Sequence, residues 1–481
     1  MILRPYQQRA VESIRGALAR SRSVCLALQV GGGKTVIACE IIRLVLARQR
    51  RALFVVHRIE LVEQARDRLA AFGIDAGIIK AGFVEQRDLP VQVACVPSLV
   101  RREFPPADLV ILDEAHHGVS ASWLEVVQHY RQAGSWLLGI TATPQRLDGK
   151  PLGDAFDAIV EPVTTRELID GGYLLDPTVY APPSIDRRGL HKRGGDFSLP
   201  EIAERMAKLT GSITDYWSRY CRGRRTLCFA VNIAHSHAIE AALRDHGALV
   251  EHVDGTTPAA ARAATRARLQ AGEIDVVTQC QLWTEGLDIP ELSGLIVARP
   301  TASLGLHRQM LGRVMRPATG KVDALVLDHA GNHHAHGSIT DEIEWSLEGR
   351  AKRAAAEPLT TCPLCFAVYP PGAPVCPSCG QPRPVREEVE PPAVENPGEL
   401  ARFEPRTARQ SWYSEQVALA SQRGYKLAWA RLRYRDRYGT WPRHRDVERR
   451  EYHCRAHKYA LCTSGAWREV RCEVCYEARP T

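Results

Sequence analysis

Val24-Cys25-Leu26-Ala27-Leu28-Gln29-Val30-Gly31-Gly32-Gly33-Lys34-Thr35 is the stretch on which the fold turns. Its opening apolar run has strand length and no wet face, which predicts a strand buried on both sides in a parallel sheet covered by helices. Three glycines follow, and then a helical pattern from Val36 to Leu46. Strand, glycine turn and helix start in this order make a phosphate cradle. Glycines let backbone N–H groups wrap the phosphates, and the helix N-terminus adds a favourable dipole. Lys34 is placed to hold β- and γ-phosphates, and Thr35 to offer its hydroxyl to magnesium. The pattern G-x4-G-K-[ST] is incomplete, because Leu28 stands where its first glycine belongs.

Working outward, further strands of the same apolar kind are expected at Ala52–Val56, Leu109–Leu112 and Trp136–Ile140, separated by amphipathic helical stretches. A second series runs through Thr226–Val231, Asp275–Thr278, Gly294–Ala298 and Ala324–Leu327. Two α/β domains in tandem follow, assigned to residues 1–175 and 176–345. The acidic pair Asp113-Glu114, with Ala115-His116, sits at the C-terminal end of its strand, where parallel sheets place ligand sites. Asp113 is suited to magnesium, and Glu114 to orienting and deprotonating an attacking water. Between the two series, residues 182–200 are polar and carry Arg187, Arg188, Lys192 and Arg193. A DNA-touching loop and a solvated insertion are both open readings of them.

Charge and cysteine divide the 481-residue chain in a similar way. Residues 401–481 hold 18 Lys+Arg against 9 Asp+Glu, while the first 400 hold 45 against 46. The same segment holds 12 of the 32 aromatic residues, a pairing of positive charge and stacking surface that points to nucleic acid. A composition of 45% hydrophobic and 25% charged residues excludes wholesale disorder and fibrous architecture. No apolar run reaches membrane-span length and the N-terminus lacks a secretion-signal core, so a soluble cytoplasmic protein with no membrane partner is expected. Cys362-x2-Cys365 and Cys376-x2-Cys379 lie ten residues apart among prolines and glycines. Four thiolates so spaced close a tetrahedral zinc site, which predicts a zinc ribbon over 355–382. A full four-sulfur shell argues for structure or DNA contact rather than metal catalysis. A proline- and glutamate-rich linker follows over 383–404, and then a basic, aromatic, mainly helical domain over 405–481. Cys454, His457, Cys472 and Cys475 form a second candidate zinc set, with His453 or Cys462 as substitutes and burial of the cysteines as the other reading. The histidines 329, 333, 334 and 336 follow the last apolar strand and are read as structural.

These residues resemble the superfamily-two helicases with a DEAH-type motif, and the resemblance covers residues 1 to about 345. It implies that the two α/β units are RecA-like domains with ATP held between them. Arg4-Pro5-Tyr6-Gln7 is similar to the family's adenine-reading element, which implies that Gln7 contacts the base. His57-Arg58-Ile59-Glu60-Leu61 and Pro97-Ser98-Leu99 resemble its strand-contacting motifs, and Thr141-Ala142-Thr143-Pro144 its coupling motif. Thr284-Glu285-Gly286-Leu287-Asp288-Ile289-Pro290 matches the motif that joins nucleotide to DNA, giving Gly286 and Asp288 a place at the cofactor. Gln309-Met310-Leu311-Gly312-Arg313-Val314-Met315-Arg316 matches the arginine-finger motif. By this resemblance Lys34, Asp113, Glu114, His116, Arg313 and Arg316 are catalytic. Gln7, Gly31, Gly32, Gly33, Lys34, Thr35, Asp113, Gly286, Asp288 and Gln309 bind the nucleotide, and Thr35 and Asp113 hold magnesium.

The whole arrangement of motor, four-cysteine ribbon and tail, from Gly424-Tyr425-Lys426 to Gly439-Thr440-Trp441-Pro442, resembles RadD-type bacterial and phage helicases. The type III restriction-motor family shares the pattern of the first 345 residues. The implied function is ATP-dependent movement on single-stranded or branched DNA in repair or recombination, with ATP, magnesium and zinc, and with a single-stranded-DNA-binding protein as a partner. An RNA helicase, the motor subunit of a restriction system and a zinc-bearing DNA scaffold with a decayed motor are the alternatives. The joint presence of Lys34, Asp113, Glu114, Arg313 and Arg316 argues against decay.

Overall fold

The computed structural model describes residues 2–383, 406–425 and 427–438, apart from 60, 118, 119, 147, 148, 150, 194, 285, 350, 351 and 354–358. The linker beyond residue 383, the set Cys454, His457, Cys472 and Cys475, and Glu285 lie outside the described residues. Among the described residues, no helix is long and apolar enough to cross a membrane.

The first sheet has seven parallel strands: β1 (Ser23–Ala27), β2 (Ala52–Val56), β3 (Gly77–Ile79), β4 (Val91–Cys95), β5 (Leu109–Asp113), β6 (Trp136–Thr141) and β7 (Ala158–Val160). Their order across the sheet is β3-β4-β2-β5-β6-β1-β7. All five residues of β1, β2 and β4 are buried, which explains apolar runs where a half-wet strand would alternate. The second sheet is parallel as well, in the order β12-β13-β11-β14-β15-β8. Its strands are β8 (Pro177–Tyr180), β11 (Thr226–Phe229), β12 (Val250–Val253), β13 (Val276–Gln279), β14 (Gly294–Val297) and β15 (Ala324–Asp328). Two RecA-like α/β domains are thus joined in one compact unit, residues 1–385.

Of the strands that apolar content did not reveal, β3, β7, β8 and β12 lie at sheet edges, while β4 is an interior strand whose apolar run is broken by Gln92. In β12, Glu251 and His252 are half-buried. In β8, Pro177 is the first residue of an edge strand, a position that tolerates a missing N–H.

A hairpin of β9 (Lys192–Arg193) and β10 (Asp196–Phe197) occupies the basic insertion. Part of that insertion is fastened to the second domain rather than solvated. Arg187 Nη2 donates to Ala330 O and Asn332 Oδ1, both at 2.5 Å, and Asp196 Oδ1 accepts from Thr301 Oγ1 at 3.0 Å and Ala302 N at 2.7 Å. Arg187 is therefore an internal clamp, while the Arg188 side chain stays exposed. Two short antiparallel pairs follow, β16 (Ile343–Glu344) with β17 (Lys352–Arg353) and β18 (Thr360–Thr361) with β19 (Val368–Tyr369). The second pair opens the cysteine unit, which covers the free flank of β8. Tyr180 bridges Ala367, Ala181 N donates to Phe366 O at 2.9 Å, and the Tyr180 hydroxyl lies 3.0 Å from Ser378 Oγ.

The second compact unit begins at residue 386, and its described part is a helical hairpin, Arg406–Gln422 and Leu427–Tyr438. Tyr413, Val417, Ala420, Ala430 and Tyr434 are its core. Tyr434 is thus a packing residue, 3% exposed, and unavailable for stacking on bases. Arg431, Arg433, Arg435 and Arg437 remain exposed.

Gly139 in β6 shows how packing reaches the site. A Cβ there would lie 2.4 Å from Phe156 Cζ and 2.8 Å from the Cβ of Ala115, the residue after Glu114. Gly139→Ala is expected to destabilise the chain by about 1–3 kcal/mol through overpacking, read as a lower denaturant midpoint with an unchanged slope.

Candidate nucleotide site and cysteine cluster

The phosphate loop leaves β1 at Leu28, whose N–H donates to Thr141 O at 2.9 Å. Leu28 fills the interior against Gly32, where a Cβ would fall 2.9 Å from Leu28 Cγ. The missing first glycine is thereby offset, since the leucine takes the space that Gly32 leaves open. Gly31 and Gly33 have φ of +85° and +80°, which only glycine adopts freely. Each also lacks room for a side chain. At Gly33 a Cβ would meet Gln7 Nε2 at 2.5 Å, and at Gly31 it would meet Leu174 Cδ2 at 2.9 Å and Arg316 Cγ at 3.1 Å.

Lys34 opens the helix Lys34–Leu46 with Thr35 beside it. Its Nζ donates to Leu28 O at 3.3 Å. Burial pulls the pKa of this ammonium down, while Glu114 and Asp113 hold it up, so the carboxylates face the lysine across the loop. Asp113 ends β5, and its pKa is pushed up to about 6, first by burial and then by the Glu114 charge. Glu114 has a φ of +49°, a strained value for a side chain of this size and a mark of a functional turn. Its Oε2 is buried with no hydrogen-bond partner and lies 3.5 Å from His116 Nδ1. His116 Nδ1 is 3.0 Å from Thr141 Oγ1, which in turn donates to Thr143 O at 3.2 Å. The acidic turn is therefore wired to residues 141–144. A raised carboxyl pKa beside an unpartnered carboxylate oxygen is the donor chemistry that suits a hydrated divalent cation.

Gln7 closes one end of the loop. Its Oε1 caps the first helix by accepting from Arg4 N at 2.9 Å, and its amide lies on Gly33. Tyr6 was not singled out from sequence, yet its hydroxyl donates to Gly32 O at 3.0 Å and its ring meets Tyr173 at 4.8 Å. Only its place beside Gln7 hinted at this. Arg308 was also missed. It reaches from the second domain to the first, where Nη2 donates to Thr165 Oγ1 at 2.9 Å.

The second domain brings its arginines to the same loop. A Cβ on Gly312 would lie 2.4 Å from Val30 Cβ, so the two backbones meet almost directly. Arg316 packs on Gly31 and pairs with Asp288. Arg313, 6% exposed, donates to Leu287 O at 2.7 Å and Thr284 O at 2.6 Å. Gly286, with φ +76°, packs against Leu61 of the first domain. Gln309 is buried beside a cavity of about 190 Å³ between the domains, whose walls include Arg58, His116, Thr143, Gln281 and Arg299.

Remote from this cleft, the sulfurs of Cys362, Cys365, Cys376 and Cys379 all lie within 4.8 Å of one another. The pairs 362–379 and 365–376 stand 3.6 Å apart. Zinc–sulfur bonds of about 2.3 Å make a tetrahedron with edges of about 3.8 Å, so the set has the right size for zinc. It is the one such group among the described residues; the histidines 329, 333, 334 and 336 form none. His333 instead meets Asp328 at 3.2 Å, and the His329 and Tyr216 rings meet in a T-shaped contact at 5.5 Å.

Residues 1–146 match the family described as type III restriction enzyme, res subunit, and residues 209–318 match the helicase conserved C-terminal domain, together just over half of the chain. The chain belongs to the superfamily-two helicases. It is an ATP-hydrolysing enzyme with a restriction-motor-like core. A Lactococcus phage protein named 51.5 kDa protein is 29% identical to this helicase over 366 residues, 75% of this chain and 78% of the phage one. The DNA 3'-5' translocase XPB2 of Sulfurisphaera tokodaii is 25% identical over 359 residues, 65% of this chain and 78% of that protein. The structure of the ATP-dependent Type ISP restriction-modification enzyme LlaBIII bound to DNA shares the fold, with a TM-score of 0.52 and 19% identity. That match covers 68% of this helicase and 27% of the larger enzyme.

The raised Asp113 pKa has a signed consequence. A buried carboxyl whose folded pKa lies above its free value is increasingly penalised as pH rises from about 4 to 6, and fully above that. Asp113→Asn is therefore expected to raise the thermal midpoint of the nucleotide-free protein at pH 8 and to leave it unchanged at pH 4. Magnesium-dependent ATP hydrolysis should be lost.

Proposed function

We propose that this helicase turns ATP hydrolysis into movement along DNA, in repair or recombination. The observation that carries the reading is the packing of Arg316 on Gly31 at the seam of two domains, with the charges of both Arg313 and Arg316 close enough to act on Lys34. ATP in that seam would be held by Lys34 and the loop amides, with Gln7 beside the base. Thr35 and Asp113 would hold magnesium, which supplies neutralisation of phosphate charge. Glu114 would orient the attacking water, and His116 would link it to residues 141–144. Arg313 and Arg316 would stabilise charge on the transferring phosphoryl group, but only with the cleft shut. Alternation between shut and open forms would then shift the domains along a strand.

DNA rather than RNA is supported by the DNA motors among the relatives and by the basic tail. Zinc in the four-cysteine set is supported by the sulfur spacing. The ribbon is packed on β8, which favours a structural role for the metal. A second reading, the motor subunit of a restriction-type system, is favoured by the family match over residues 1–146. In that case a partner chain would supply cleavage.

ATPase rates with single-stranded DNA, duplex, fork and RNA separate these readings, with the largest stimulation expected from single-stranded or forked DNA. Lys34→Ala and Glu114→Gln should abolish turnover while DNA binding persists, and Arg316→Ala should slow it about 10³-fold. Equal stimulation by RNA would transfer the enzyme to the RNA helicases. Metal analysis should find one zinc lost on Cys362→Ser with Cys376→Ser. A zinc content unchanged by that double substitution would remove the metal from this set.

A further inference from the structure

Lys321 lies in the turn between Arg316 and β15 and plays no part in the site described above. Its half-buried ammonium meets three backbone carbonyls, Val314 O and Arg316 O at 2.6 Å and Pro290 O at 3.0 Å. An ammonium carries three protons, so each has an acceptor. Two of those carbonyls belong to the arginine segment 313–316, and the third follows Asp288 on the segment 284–290. The arginines themselves also tie these segments: Arg313 to Thr284 O and Leu287 O, and Arg316 to Asp288. A guanidinium that turns to a phosphoryl group gives up such bonds. The lysine bonds remain.

We propose that Lys321 is a positioning residue for hydrolysis, a clip that keeps segment 313–316 in register with segment 284–290 while Arg313 and Arg316 engage the phosphate. The inference rests on the ATPase reading given above. It concerns the transition state more than nucleotide binding, because the arginine contacts count most when charge develops on the transferring group.

The test uses the full chain with single-stranded DNA and measures kcat, KM for ATP, the Kd of a fluorescent ATP analogue and the thermal midpoint. Lys321→Met is expected to lower kcat about 10–10²-fold, the range that a misplacement near 1 Å produces, with KM and Kd within about threefold. Lys321→Gln, which keeps two donor protons, should fall between Met and wild type, and it carries the test if the Met variant does not fold. In a double-mutant cycle with Arg316→Ala, Lys321→Met should add little, since the lysine acts through the arginine. A folded variant with kcat within twofold of wild type, or losses that multiply in the cycle, would overturn the clip. A wild-type chain without DNA-stimulated hydrolysis would instead sink the motor reading itself.

Discussion

The close approach of two backbones, Val30 on the phosphate loop and Gly312 beside the arginines, is the constraint on which the rest depends. It leaves no room for even one methyl group, and it sets Arg316 against Gly31. Each partner has its own reason to be where it is. Val30 and the glycines leave a strand buried on both faces, and Gly312 caps the helix Leu304–Leu311. Because both supports are elements of their own domains, the contact of Arg316 with Gly31 depends on how the two domains are set against each other.

The two carboxylates beside the loop illustrate the same economy of means. Asp113 and Glu114 share a turn that is strained at Glu114 and enclosed by the Gly139 strand. Enclosure raises the Asp113 pKa, and the nearby Lys34 partly compensates. The site stores like charge in a protected place, so a cation-bearing ligand relieves a cost that the fold carries in its absence.

Much of this was legible in the residues. Strands buried on both faces announce themselves as apolar runs, so β1, β2, β5 and β6 of one sheet and β11, β13, β14 and β15 of the other were readable. The edge strands β3, β7, β8 and β12 and the interior strand β4 were not: β7, β8 and β12 are partly exposed, β3 is only three residues long, and Gln92 interrupts the apolar run of β4. The glycines, Lys34, Asp113 and Glu114 stood out because phosphate chemistry demands those residue types at those spacings. Tyr6, Arg308 and Lys321 were invisible for the opposite reason. Each acts through contacts that its own sequence neighbourhood does not announce, on partners up to 143 positions away, and only the folded chain brings them together. Arg187 and Tyr434 teach the converse lesson, since a charged or aromatic residue in a basic stretch can be consumed by packing.

The ribbon on β8 carries one more implication. A bare outer strand offers a row of unsatisfied amides and carbonyls to any extended peptide, including its own counterpart on another molecule. With Phe366, Ala367 and Ser378 lodged against Tyr180 and Ala181, the four-cysteine unit works as an end-stop that already occupies this flank of β8. Opening the four-sulfur cluster would uncover that row of hydrogen-bonding groups again.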